Sequence, residues 1–281
     1  MFGKKKRVIV GLTTYYNENL MISMSGVARL PYNNMVLIIH NDNPDTKITA
    51  RKIRHMGYRG KLYIINSEYN TGLRSSRMAI IDFVQQHKIK SDWFVFLDDD
   101  DVLLNIEVPS VSEKHFAIIQ NMAVIRTRLI DVLRVIQKPH SIVFDDENVY
   151  VVRPHIGLCG TLVRTNVMLR LGQVLHTAQS VFSDIDEGLG FIAPVDIAMW
   201  SALNIVAHDM KTNTTPIYMD TVNYIATDID TASTKYGKPI QPSKNSKQQI
   251  LSVIAKYDNA VRDALNGLNA EAAPSGPESD A

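Results

Sequence analysis

"SDWFVFLDDDD", Ser91 to Asp101, is the stretch whose reading decides the fold. Its aromatic and aliphatic run reads as a buried strand, and four consecutive aspartates end it. Adjacent like charges repel one another and resist burial, so their place at a strand end asks for a reason. In a parallel α/β sheet, ligands bind beyond the carboxyl ends of the strands. Two carboxylates one residue apart at such an end can aim at one hard cation, and that cation can neutralise a diphosphate. The competing reading is a solvated acidic turn or a helix N-cap, which suits Asp101 best.

The surroundings give that strand its company. "RVIVGL" from Arg7, "MVLIIHND" from Met35 and "KLYIIN" from Lys61 read as three earlier strands, rich in β-branched residues and stopped by polar turns. "NLMISMSGVARL", "TKITARKIRHMG" (with Gly57 as its stop) and "TGLRSSRMAIIDFVQQHK" carry helical periodicity between them. Strand and helix in this rhythm predict an α/β fold, with a mainly parallel central sheet flanked by helices on both faces.

The second half is read less directly. "EKHFAIIQNMAVIRTRLIDVLRVIQK" is expected to be helical in part, and "SIVFDDENVYVVR" to be paired strands around an Asp-Asp-Glu-Asn turn. "TLVRTNVMLRLG" reads as strand then helix, and "APVDIAMWSALNIVA" as a helix with Pro194 near its first turn. A last helix from about Ser246 puts Ile250, Ile254, Tyr257, Val261 and Ala264 on one stripe, which covers the domain's own core. The small, acidic and turn-forming tail 269–281 is expected to be disordered.

Bulk composition narrows the classes. Hydrophobic residues make up 45% of 281, enough for a sizeable core. Lys plus Arg is 30 against 29 Asp plus Glu, so no global basic field recruits nucleic acid or an anionic membrane. Cys159 is the single cysteine, which excludes an internal disulfide and a cysteine-built zinc site, and it reads as a buried small apolar residue. The apolar run after "MFGKKKR" is too short for a signal peptide. No segment approaches the roughly 20 apolar residues of a membrane span, so a soluble, cytoplasmic protein is expected.

"FVFLDDDDVL" resembles the strand and Asp-x-Asp motif of GT-A glycosyltransferases, above all glycosyltransferase family two. "VIVGLTTYYNENL" resembles that family's opening strand, "VLIIHNDNPDTKIT" its second strand and acidic turn, and "NTGLRSSRMA" its Asn-x-Gly followed by Ala-Arg-Asn. The order and spacing of these pieces cover roughly the first hundred residues. His40 stands where the family usually has its first acidic residue, leaving Asn41 and Asp42 as polar substitutes. The resemblance implies a GT-A domain over 1–268: a nucleotide-sugar-binding half (1–105), an acceptor and catalytic half (106–242) and a C-terminal helix (243–268).

It also implies roles. Asp98 and Asp100 match the motif, the first holding the donor ribose or a metal-bound water and the second Mn²⁺ or Mg²⁺. Arg77 would pair with phosphate, as a guanidinium fork can. Thr14, Tyr16 and Asn17 would lie at the first strand's end, with Tyr16 able to stack on the base, and Asn70 and Asp42 would complete the donor site. In inverting members a carboxylate near the start of a late helix takes the acceptor's proton, and Asp196 sits in a similar place, with Val195 where the family has glutamate. Asp184, Asp186 and Glu187 form the rival base site. His208 is a candidate further metal ligand, although its place reads as a turn, and His155 with Gly157 and Gly160 could line an acceptor pocket.

The implied activity is a metal-dependent hexosyl- or pentosyltransfer from a nucleotide-diphosphate sugar to an acceptor hydroxyl, with inversion and Asp196 as base. Two other classes remain open: a haloacid-dehalogenase-like phosphatase using Asp98 and Asp100, and a non-catalytic sugar- or protein-binding module on a transferase fold. The acceptor is a glycan or an anionic polymer such as nucleic acid. Arg126, Arg128, Arg134, Lys138, Arg153, Arg164 and Arg170 make the middle section locally basic. Ordinary solvated arginines on helices and strands are the favoured account of them.

Overall fold

The computed structural model describes residues 6–30, 33–125, 149–152, 157–180, 182, 195–211, 215–227 and 246–272. In chain order the elements are β1 (Val8–Thr14), α1 (Leu20–Val27), β2 (Met35–Asn41), α2 (Ala50–His55), β3 (Lys61–Asn66) and α3 (Gly72–Gln86). β4 (Trp93–Asp98), β5 (Val102–Leu103), β6 (His115–Ile125), β7 (Val149–Val152) and β8 (Leu162–Arg164) follow. The remainder is α4 (Thr165–Thr177), α5 (Val195–Asp209), β9 (Thr215–Thr227) and α6 (Ser246–Glu271).

Nine strands among the described residues make one sheet, ordered β3-β2-β1-β4-β8-β6-β9-β5, with β7 paired to β6. The first four in that order are parallel throughout. Antiparallel pairing then brings in β8, β7 and β5, and only β6 with β9 is parallel again. β1 and β2 are buried along their whole length, which is why their sequences run apolar without alternation. α3 packs on β1 and β2, α4 packs on α3, and α4, α5 and α6 pack against one another. α1 closes on β5 at Gly26, where a Cβ would meet the Leu103 carbonyl oxygen at 2.6 Å.

Of the stretch 113–138, expected to be helical in part, residues 115–125 form the strand β6, and 126–138 lie outside the described residues. "HFAIIQNMAVI" is apolar on both faces, and a short apolar run of that kind suits a fully buried strand as well as a helix. Pairing with β8 and β9 decides it. The expected turn at Asp145–Asn148 lies outside the described residues. α6 runs to Glu271, three residues past the expected boundary at 268. "NAEAA" contains good helix formers, and Asn269 is held by Arg170 at 2.9 Å and Asp209 at 3.1 Å. The α6 stripe turns inward at Tyr257, Val261 and Ala264, all buried.

Candidate active site

Parallel register places the chemistry. Thr13 lies opposite Asp98, and Thr14 opposite Asn41, so the ends of β1, β2 and β4 open at one level. An open cleft of about 420 Å³ lies there, bounded by Thr13, Thr14, Tyr15, Tyr16, Asn19, Asp42, Asn70, Gly72, Leu73, Ser76 and Asp98 to Asp100. Thr14, Tyr16, Asp42, Asn70, Asp98 and Asp100 are therefore brought together. Asn17 is not part of the lining: its side-chain amide donates to the Thr46 hydroxyl.

The four aspartates divide by environment. Asp98 accepts from the Thr13 hydroxyl at 3.1 Å and from the Arg77 guanidinium at 3.3 Å. Asp99 accepts from the Thr14 hydroxyl at 2.5 Å and the Tyr15 amide at 3.3 Å. Burial and then the neighbouring Asp98 push the Asp99 carboxyl up to about 6, against the pull of its hydrogen bonds. Asp100 borders the cleft, and its carbonyl accepts from the Thr227 hydroxyl.

Asp101 corrects the solvated-turn reading. It is buried, accepting from the Tyr224 hydroxyl and from the Thr227 amide at 2.9 Å. Burial first, then Asp100 and Asp98, pushes its carboxyl well above the usual range. Gly160 (φ +73°) makes room for this seam, because a Cβ there would sit 2.5 Å from the Tyr224 ring.

Arg77 is a second correction. Its side chain is 1% exposed, too deep to reach a phosphate in the cleft. The guanidinium instead pairs with Asp98, lies over the Phe96 ring at 5.6 Å and donates to the Cys159 sulfur at 2.9 Å. A buried guanidinium needs such a carboxylate, since an uncompensated charge there is costly. Cys159 is buried as expected, but in polar company: its thiol donates to Asp98 at 3.4 Å.

Asp42 has a structural duty that its sequence context concealed. Its carboxylate accepts from the Thr71 amide (2.8 Å), the Thr71 hydroxyl (2.7 Å) and the Gly72 amide (2.8 Å), capping α3 from the end of β2. Asn70 accepts from the Gly72 amide at 3.2 Å. Next to Asp42, His40 is buried, and desolvation lowers its pKa against the opposing charge of Asp42.

Sequence reasoning passed over Thr13, Tyr15, Asn19, Ser76 and Asp99. Register with Asp98 could have found Thr13; Ser76 has no comparable signal. The Ser76 hydroxyl is buried at the cleft wall without a hydrogen-bond partner among the described residues. Asp196 is the second residue of α5, and its side chain lies outside the described residues, as do Asp184, Asp186, Glu187 and His155. His208 is exposed in the last turn of α5, helical where a turn was expected.

Comparison with known proteins adds a family segment. The profile of Glycosyl transferase family 2 matches residues 12–133, from β1 past the acidic strand end. No curated protein matches the chain. Among solved structures, S. aureus TarS is similar at 13% identity and TM-score 0.46, over 96% of this chain and 44% of that one. The chain thus spans less than half the length of TarS. Its 1–349 form in complex with UDP aligns at 13% identity and TM-score 0.46, over 92% and 71%. The mannosyltransferase PcManGT from Pyrobaculum calidifontis, in complex with GDP-Man and Mn²⁺, aligns at 12% identity and TM-score 0.41, over 98% and 78%.

Proposed function

We propose that this chain, a glycosyltransferase with a family 2 segment over residues 12–133, moves a sugar from a nucleoside-diphosphate sugar to an acceptor hydroxyl at the cleft where β1, β2 and β4 end. One observation carries the reading. The cleft gathers two tyrosines, four aspartates and the Ser76 hydroxyl, unpartnered among the described residues, beyond the carboxyl ends of parallel strands, where such sheets bind ligands.

A divalent cation suits the donor set. Among the described residues no three His, Cys, Asp or Glu side chains are grouped to hold one. Two carboxylates are enough when diphosphate oxygens and water complete the shell. Mutual repulsion in the cluster, felt at Asp99 and Asp101, is what a cation would relieve, so the residues fit. Asp100 would hold Mn²⁺ or Mg²⁺, with Asp98 beside it, oriented by Arg77 and Thr13. Bound there, the ion supplies neutralising charge to the departing diphosphate.

The protein's own side chains do the remaining work. Tyr16, set edge-on to Tyr15 with ring centroids 5.0 Å apart, offers a face for the nucleobase, and Asn70 lines the same cleft. Asp196, at the start of α5, takes the proton of the acceptor hydroxyl; a helix N-terminus favours its carboxylate form. The acceptor oxygen then bonds to the anomeric carbon as the bond to phosphate breaks, and the electron pair leaves with the nucleoside diphosphate. Attack opposite the leaving group inverts the configuration.

The test is a screen for nucleoside-diphosphate release, starting with UDP- and GDP-linked sugars, with and without Mn²⁺. Release from at least one donor, lost on chelation, is expected. Metal-independent release, or none from any donor, contradicts the reading.

A further inference from the structure

We propose that α2 and the turn into β3 form a docking face for a soluble polyanionic chain, running from the rim of the donor cleft to the opposite end of the sheet. Its role as the backbone of the acceptor rests on the transferase reading above.

Between Thr46 and Ser67 the chain carries Lys47, Arg51, Lys52, Arg54, Arg59 and Lys61, and no Asp or Glu. The whole protein is almost neutral, at a formal +1, so this stretch is a local concentration of charge. Lys47, Arg51, Arg59 and Lys61 are exposed. Among the described residues none of the six is ion-paired with a carboxylate. Two of them fasten the face: Arg54 donates to the carbonyls of Tyr58 (3.1 Å) and Gly60 (2.8 Å), and Arg59 to that of Arg54 (2.8 Å). Those bonds satisfy donors without cancelling charge. An anion brought from outside would.

The face is tied to the cleft. Lys52 donates to the Asn17 carbonyl at 3.5 Å, and Asn43 to the Tyr15 carbonyl at 3.0 Å. The Lys52 bond holds the Thr46–Lys52 end of the segment, and the Asn43 bond the turn just before it, against the loop after β1, whose Tyr15 and Tyr16 line the cleft, while Arg59 and Lys61 lie at the other end of the sheet. Inside, Asp98 to Asp100 would repel an anionic acceptor, so only an uncharged hydroxyl enters comfortably. A polyanion therefore needs cations outside the cleft and within reach of it. Lys47 and Lys52 provide them at the rim, and Arg51, Arg54, Arg59 and Lys61 continue the positive charge away from it.

Charge complementarity selects a soluble chain over a bilayer. An interfacial helix needs apolar side chains to insert, and the apolar residue of α2, Ile53, is buried in the core. Among the described residues the exposed large apolar ones are Met21, Tyr69, Leu73, Tyr218 and Leu251, none of them in this segment.

The experiment measures binding of long-chain inorganic polyphosphate to the full chain across a salt series, beside donor hydrolysis in the same samples. The triple variant Lys47→Gln, Arg51→Gln, Lys61→Gln removes three exposed charges that line no part of the cleft. Its affinity should fall about ten-fold or more, and its salt slope should flatten by about 2, three charges at about 0.7 each. Nucleoside-diphosphate release to water should match wild type. Equal affinity and slope in the two proteins, or no binding to either, overturns the proposal. So does binding to phosphatidylglycerol–phosphatidylcholine vesicles that polyphosphate fails to displace. Charge-dependent polyphosphate binding by a protein that hydrolyses no donor would uphold the docking face and overturn the acceptor role together with the transferase reading.

Discussion

The mouth of the cleft and the seam between β4 and β9 use the same residue type to opposite ends. At the mouth, Asp98 to Asp100 stand half-exposed around open space, held from behind by Thr13, Thr14 and Arg77. At the seam, Asp101 is closed over by Tyr224 and Thr227, and Asn223 donates to Gln120 at 3.0 Å in the same buried layer. One residue of chain separates a carboxylate that can meet a ligand from one that fastens two strands. The difference comes from strand β9, which covers one position and leaves the others open.

That contrast can be broken or sharpened by substitution. The largest effect is expected on the chemistry side. Asp196→Asn should lower transfer by roughly two to four orders of magnitude, the worth of a positioned base, with calorimetric donor binding near normal. An NMR assignment of the product anomer accompanies it, and retention of configuration would remove Asp196 from the role. Arg77→Met bridges the two regions. It strands the Asp98 charge and should destabilise the fold by about 3 kcal/mol in denaturant titration, the low end for a broken buried pair because Asp98 is partly exposed. Asp101→Asn should cost about 1–2 kcal/mol, since one of two buried partners loses its acceptor. A gain in stability there would dissolve the seam.

The smallest effect is a pH slope. The Asp99 carboxyl is raised to about 6 in the fold, above its unfolded value near 3.9. The native state thus binds more protons between those values, and the contribution of this group to stability falls as pH rises from about 4 to 6. Asp99→Asn should flatten that part of the Tm–pH curve, measured in chelator, and raise Tm at neutral pH. The Thr14 hydroxyl and Tyr15 amide share one oxygen of Asp99, which the amide oxygen of asparagine can replace.

The first four strands and their helices were legible because each is a local apolar run with its own stop signals, and parallel order then set the cleft at their ends. β6 was not, because its apolar pattern suits either element and its partners lie up to a hundred residues away. Asp101 was opaque for the same reason: Tyr224 and Thr227 are remote in the chain. Arg77 was readable in principle. It falls on one helical stripe with Ile80, Ile81 and Val84, all buried, and a cation on that stripe must find an anion inside.

Asp100→Asn tests the central claim most directly, by nucleoside-diphosphate release at limiting Mn²⁺ together with Tm. The substitution preserves shape and removes the charge proposed to hold the cation, while easing repulsion with Asp98 and Asp101. The account predicts loss of metal-dependent donor hydrolysis, with Tm unchanged or higher. Undiminished hydrolysis at limiting metal would contradict it.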